Sequence, residues 1–308
     1  MAILIDPPRW PAHGILWSHL ISDSSLDELH EFARLLGLPR RSFDLDHYDI
    51  ADFNHAAAVA AGARPVSGHE LVHALHASGL RIRKADRALA KAALRRDFLH
   101  EEWRSLGARL QPAVPAQWDA LGLDLVRRWD EPQRVYHDLR HLEDVLLALD
   151  HLEKTGEQIP ESTLLAAWFH DAVYAGQTGE DERDSAALAR DALSRLGFAE
   201  SLARDVSELV LATAPGADVA NAARPLAQLL DADLAIFGST SKRYAEYATA
   251  VRAEYAHVPE ADFRRGRALI LRGYLDRPRI YRLESAVSLW EARARENLRA
   301  EIASLTAA

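Results

Sequence analysis

LLAAWFHDAVY, residues 164–174, decides how the larger part of this chain folds. The apolar run LLAAWF ends in His170 and Asp171, and the chain turns apolar again at Ala172. An apolar run of this kind reads as the buried end of a core helix. Burying an ionised carboxylate is costly unless it is paired or bound to a cation. His170 and Asp171 are therefore either a hydrogen-bonded helix end or two ligands of one metal ion.

Two further segments bear on that choice. In RVYHDLRHLEDVLLALDHL (134–152), Leu142, Val145, Leu146, Leu149 and Leu152 form an apolar stripe, with His137 and His141 one turn apart on one face. In LAQLLDADLAIFG (226–238), Asp231 and Asp233 interrupt another apolar helix. A helix sends residues two apart to different faces, so one of these two aspartates is expected to share a centre with the histidines. Three core helices each carrying His or Asp, in a chain with only four lysines (Lys84, Lys91, Lys154 and Lys242), ask for a cation.

Helical periodicity runs over 83–110, 116–128, 132–153, 161–173, 181–196, 199–213, 224–237, 240–256, 260–275 and 279–305. The first eighty or so residues differ. Strand candidates at 2–6, 40–49 and 63–66 alternate with helix candidates at 24–38, 55–62 and 67–79. That alternation predicts a small α/β domain with a parallel sheet. The expected plan is α+β overall: a small α/β domain over 1–83, a helical linker over 84–98 and an all-α bundle over 99–308. Asp6, His13, Trp17, His19, Asp23, Arg41, His47 and Asp49 crowd the strand ends and loops of the first domain, where α/β sheets bind ligands. Asp6, His19, Asp23, His47 and Asp49 form its candidate site.

Composition narrows the function classes. The 308 residues are 48% hydrophobic, enough for a packed core. A net charge of −9 argues against an extended nucleic-acid surface. With no cysteine, disulfides and thiolate metal sites are excluded, so any metal is held by His, Asp, Glu or water. No apolar run approaches the ~20 residues of a membrane span, and MAILIDPPRW (1–10) lacks the pattern of a signal peptide. A cytoplasmic protein without membrane contact is expected.

EPQRVYHDLRHLEDVL (131–146), AAWFHDAVY (166–174), DERDSA (181–186), LLDADLAIFG (229–238), YAEYATAVRAEYAHVP (244–259) and FRRGRALILRGYL (263–275) together resemble the HD-domain superfamily of metal-dependent phosphohydrolases. The resemblance implies an HD-type all-α bundle with His141, His170, Asp171 and Asp233 as metal ligands, Asp231 being the close rival of Asp233. His137 and Asp231 are candidates for a further ligand or a supporting role. The chain departs from the pattern at Asp181-Glu182, where Asn-Glu is usual, and at TAPG (213–216), where Thr-Lys-x-His is frequent. No histidine occurs between Asp171 and Asp231, which favours one ion per chain over two. DPPRWPAHGILWSHLISDSSLDELHEFARLLGLPRRSFDLDHYD (6–49) and GARPVSGHELVHAL (62–75) resemble a second family, domain of unknown function 4031, which implies no chemistry.

The implied activity is hydrolysis of a small phosphorylated substrate, a phosphomonoester or nucleotide, by a metal-activated water. Two imidazoles and two carboxylates suit Mn, Fe, Co or Ni, with Mg also compatible. Glu182, with Asp171, is the candidate for proton transfer. Arg134, Arg140, Lys242, Arg252 and Arg267 are candidates to share the phosphate charge, and Tyr136, Tyr174 and Tyr255 to line the pocket. A non-catalytic nucleotide sensor is the competing reading, an HD-type di-iron oxygenase is disfavoured by the missing histidines, and homo-oligomerisation is left open.

Overall fold

The structure, a computed structural model, describes residues 2–12, 15–38, 42–177, 179–217, 219 and 221–307. His13 and Arg41 lie outside the described residues. The chain divides into two compact units, Met1–Leu94 and Arg95–Ala308. It is α+β overall: a small sheet with helices, then a helical unit.

The first unit holds β1 (Ile3–Ile5), β2 (Trp10–Ala12), β3 (Ile15–Ser22), α1 (Leu26–Leu35), β4 (Tyr48–Ala51), α2 (Asp52–Ala60), β5 (Arg64–Pro65) and α3 (Gly68–Ala77). Its sheet corrects the parallel expectation. The long strand β3 pairs antiparallel with β1, β2 and β4, and only β1 with β5 runs parallel. No strand is read at β3 from sequence, because adjacent polar Ser18 and His19 interrupt its apolar run. Side chains alternate between faces along each strand. Ile3, Ile5, Leu20, Tyr48 and Ile50 pack with Leu29, Ala33 and Ala58 of α1 and α2. Leu4 and Ile21 point the other way, against Leu71 and Leu75 of α3. His19 and Asp49, cross-strand partners, therefore lie on the face of Ile21. Ser67 starts α3 with a reciprocal capping box to Glu70. Gly37 and Gly79 follow α1 and α3 at φ 66° and 75°, a region glycine enters without steric penalty.

The long helix α4 (Arg87–Leu110) follows. The helical unit continues with α5 (Pro115–Trp129), α6 (Leu139–Lys154), α7 (Glu161–Phe169), α8 (Asp181–Arg195), α9 (Glu200–Leu211), α10 (Arg224–Asp233), α11 (Ser241–Glu254), α12 (Glu260–Leu275), α13 (Glu284–Ala286) and α14 (Ala292–Thr306). Helices α6, α7, α9 and α10 surround one core containing Leu142, Val145, Leu149, Leu165, Phe169, Val206 and Leu229. Below it, α4 meets α5 through two tryptophans. The Trp103 and Trp118 rings stack with centroids 4.0 Å apart, and each indole N–H donates to the other's backbone carbonyl, at 2.9 and 3.2 Å. A Cβ added at Gly107 would land on the Trp118 ring, and one at Gly122 on the Trp103 ring. Each helix thus offers the glycine that the other's indole covers.

The segment expected as one helix over 279–305 is not continuous. Residues 280–283 are held by two carboxylates: half-buried Glu291 takes the amides of Ile280 and Tyr281, and buried Asp231 those of Arg282 and Leu283. Amides bound in this way are unavailable to a helical ladder. A π-helical turn, Val287–Glu291, joins α13 to α14.

Candidate metal centre

Helix α6 begins later than periodicity predicted, because Asp138 caps it. Its carboxylate accepts the amides of Arg140 at 2.8 Å and His141 at 3.3 Å. His141 thereby stands in the first turn of α6, buried and facing the core. His137 precedes the cap, so the two histidines do not share a helix face as expected. His137 belongs to a loop that Glu254, the last residue of α11, holds in place. One Glu254 oxygen accepts the amides of Val135, Tyr136 and His137 at 3.1, 3.2 and 3.3 Å. The other accepts from the Tyr174 hydroxyl at 3.1 Å and lies 2.6 Å from His137 Nδ1.

Helix α7 delivers His170 and Asp171 just past its end at Phe169. His170 Nδ1 donates to the carbonyl of Ala167 at 2.8 Å, which fixes the ring and turns Nε2 toward His141. Arg134 fixes the turn that follows. Its guanidinium donates to the carbonyls of Asp171 at 2.7 Å, Ala172 at 3.2 Å and His137 at 3.0 Å. It lies between the Trp129 and Tyr174 rings, 5.4 and 5.3 Å from their centroids. From α8, Ser185 Oγ accepts the Val173 amide at 3.0 Å and donates to the Val173 carbonyl.

Asp233, the last residue of α10, completes the group. His141 Nε2 is 3.3 Å from His170 Nε2, 3.1 Å from Asp233 Oδ1 and 3.9 Å from Asp171 Oδ2. His170 Nε2 is 3.4 Å from Asp171 Oδ2 and 3.8 Å from Asp233 Oδ1. Burial works to raise the Asp233 carboxyl, but the hydrogen bond from His141 and the nearby imidazoles prevail and hold it at about 2. Burial likewise works against charge on His137, while Glu254, Asp171 and Asp233 raise its pKa on balance. One proton on His141 Nε2 can satisfy only one of the acceptors around it. The remaining lone pairs face one another, an arrangement suited to a divalent cation.

Asp231 is not brought to this group. Fully buried, it accepts the amides of Arg282 at 2.8 and 3.0 Å and of Leu283 at 2.8 Å. Burial raises its pKa to about 6 despite those bonds. Its rivalry with Asp233 is resolved by direction: one holds the chain at 282–283, the other faces the histidines.

Several candidate substrate residues have other work. The Arg134 guanidinium is committed to backbone carbonyls. Arg267 is paired with Glu301 at 2.9 Å and with the Tyr247 hydroxyl at 2.8 Å. Arg252 bonds Glu260 and the carbonyls of Tyr255 and Val258, holding the end of α11. Glu182 accepts the Gly179 amide at 2.6 Å and so braces the turn before α8. Arg140 makes an exposed pair with Glu246, and Lys242 is exposed at the start of α11. Tyr136 is buried, its ring centroid 4.8 Å from that of His141.

Sequence reasoning missed Glu254 and Trp129. Trp129 donates to the Trp168 carbonyl at 2.9 Å and sets its ring 5.2 Å from that of His170. Neither carries a local signal, since each acts on a segment distant in the chain.

In the first unit, Asp6, His19, His47 and Asp49 come together and Asp23 does not. Asp23 accepts the Ala2 amide at 2.7 Å, at the opposite end of β3 from Trp17. His19 Nδ1 lies 2.9 Å from Asp6, and His47 Nδ1 lies 2.8 Å from Asp46.

Residues 3–78 match the family described as protein of unknown function DUF4031, within the first unit. No curated protein and no solved structure matches the chain. Among the described residues, no helix is long and apolar enough to cross a membrane.

Proposed function

We propose that the helical unit is a metal-dependent phosphohydrolase of the HD type, acting in the cytoplasm on a small phosphomonoester or nucleotide. The observation that carries this reading is the meeting of His141 Nε2, His170 Nε2, Asp171 and Asp233 from α6, the end of α7 and the end of α10, with the distances given above. Two imidazoles and two carboxylates fit a borderline divalent ion such as Mn, Fe, Co or Ni, and Mg less well. Such an ion supplies Lewis acidity toward a phosphoryl oxygen and a water of lowered pKa.

The chain's own residues do the rest. The Ala167 carbonyl fixes the ring of His170, and Arg134 fixes the turn carrying Asp171; supports of this kind tune ligand geometry. Phosphate charge must also be met by donors. With Arg134, Arg252 and Arg267 committed elsewhere, we assign that part to His137. Glu254 favours its protonated form, Tyr174 stacks on it with centroids 4.5 Å apart, and its ring centroid is 5.5 Å from that of His141. Arg140 and Lys242 supply exposed positive charge; the Arg140–Glu246 pair, being exposed, is cheap to break.

The test is turnover. Purified protein, loaded with each divalent metal in turn, is assayed against nucleotides and sugar phosphates beside the His170→Ala and Asp171→Ala variants. Activity lost in both variants supports the reading, and activity unchanged in them rejects it. Metal content alone does not separate an enzyme from a ligand sensor; turnover does.

A further inference from the structure

His19 and Asp49 are cross-strand partners on β3 and β4, and His47 precedes β4 by one residue. Directly opposed residues in antiparallel strands hold their Cβ atoms about 5 Å apart on one face. This pairing explains why two residues thirty positions apart share a site.

Each histidine is oriented by a carboxylate behind it. His19 Nδ1 is 2.9 Å from Asp6 Oδ2, and His47 Nδ1 is 2.8 Å from Asp46 Oδ1. These carboxylates are themselves anchored. Asp6 accepts the His19 amide at 2.5 Å, and Asp46 accepts the Ile82 amide at 3.1 Å and pairs with Arg81 at 3.4 Å. The exposures divide the group in two. Asp6 and Asp46 are 4% and 0% exposed, whereas Asp49 is 46% exposed. With Nδ1–H donated backward, both Nε2 edges turn toward Asp49 Oδ1, His47 at 3.4 Å and His19 at 3.9 Å. Donors around a tetrahedral zinc ion stand about 3.3 Å apart, given bonds of about 2.0 Å. A buried carboxylate behind each imidazole is the support that metal-binding histidines characteristically have. Asp6 and Asp46 each occupy only Nδ1, so the Nε2 atoms of both rings are left directed at Asp49.

We propose that the N-terminal unit carries its own divalent transition-metal site, with His19 Nε2, His47 Nε2 and the Asp49 carboxylate as ligands. Two imidazoles in three ligands select zinc, cobalt or iron over magnesium or calcium. Three protein ligands at a partly exposed strand edge leave a coordination position for water or substrate, the pattern of a reactive rather than a structural site. The Trp10 ring, 5.4 Å from that of His19, forms one wall of the opening. The site is independent of the helical centre, so each stands or falls alone.

The experiment uses the full chain, stripped with a chelator and titrated with Co²⁺, read by visible absorption and by metal per chain. The His170→Ala/Asp171→Ala double variant is the background, so the helical centre does not contribute. In that background one Co²⁺ per chain remains bound. Adding Asp49→Asn, a partly exposed change that spares the core, weakens binding at least about tenfold, and adding His19→Gln with His47→Gln abolishes it. Asp46→Asn, which removes the carboxylate behind His47 and its charge beside Arg81 but keeps an acceptor for the Ile82 amide, weakens binding about 10- to 100-fold. Absence of bound Co²⁺ in the background variant would overturn the proposal, as would Co²⁺ binding untouched by His19→Gln/His47→Gln with circular dichroism unchanged. A background variant that binds as many ions as wild type points instead to failure of the helical reading.

Discussion

Replacing Glu254 by glutamine tests how the loop before α6 is held. Glu254 is 5% exposed, accepts three backbone amides and the Tyr174 hydroxyl, and faces His137. Burial opposes its ionisation, but His137 and the amides of Val135 and Tyr136 outweigh burial and bring its carboxyl to about 2, from an ordinary 4.5. A carboxyl lowered on folding stabilises the native state above its unfolded pKa, and the stabilisation is lost as pH falls through the folded value. From 4.5 to about 2 corresponds to about 3 kcal/mol at pH 7, falling to about 1 kcal/mol at pH 3. His137 and Glu254 share one interaction, so nothing is added for the histidine. Glutamine keeps the shape and one acceptor, but turns an NH₂ toward the other donors. The expected result is Glu254→Gln less stable than wild type by about 3 kcal/mol at neutral pH, the gap narrowing below pH 4.5. Urea unfolding followed by tryptophan fluorescence is the assay. Trp103, Trp118, Trp129, Trp168 and Trp290 all lie in the helical unit, against Trp10 and Trp17 in the first. A gap that is the same at pH 3 as at pH 7, or absent at pH 7, would refute the reasoning.

Further predictions separate residues that look alike in sequence. Gly122→Ala drives a methyl into the Trp103 ring and is expected to lower stability by about 1–3 kcal/mol, whereas Gly266→Ala, exposed in α12 with open space around it, raises stability by up to about 1 kcal/mol; thermal melts give the signs. Asp233→Asn weakens metal binding by the helical unit without loss of fold, while Asp231→Asn leaves metal binding in place and lowers the melting temperature; a calorimetric titration beside each melt tells them apart. Arg134→Lys cannot reach three carbonyls with one ammonium, so metal affinity of the helical unit falls about 10- to 100-fold, as read by equilibrium dialysis.

The meeting of His141 with His170 and Asp171 was legible because polar residues at the end of an apolar helix demand a partner, and each segment shows that interruption locally. The choice between Asp231 and Asp233 was not legible. It depends on amides at 282–283, far along the chain, that occupy Asp231. Arg134 is charged and close to α6, so sequence makes it a candidate phosphate binder; only folding shows carbonyls of Asp171 and Ala172 filling its donors. The helix starts of α3 and α6 differ for a related reason. Ser67 at α3 was readable as a cap, whereas Asp138 lies within a continuous helical pattern and its capping role hid inside it. The antiparallel sheet was misread because strands alternating with helices suggest crossovers, and because β3 carries polar Ser18 and His19 within its apolar run.

Helix α10 ends in two aspartates with opposite duties, and this gives the strand of chain at 280–283 a reach beyond its own position. Its amides are what keep Asp231 tolerable in the interior; withdraw them and the cheapest remedies are to protonate that carboxyl or to rotate the helix end. Protonation leaves the helix end where it is, whereas rotation would be transmitted two residues on, to the carboxylate that faces the histidines. Lesions in the Ile280–Leu283 segment that turn the end of α10 should therefore register in the placement of Asp233, whereas Asp231→Asn, which keeps the shape of the side chain, should register in stability alone.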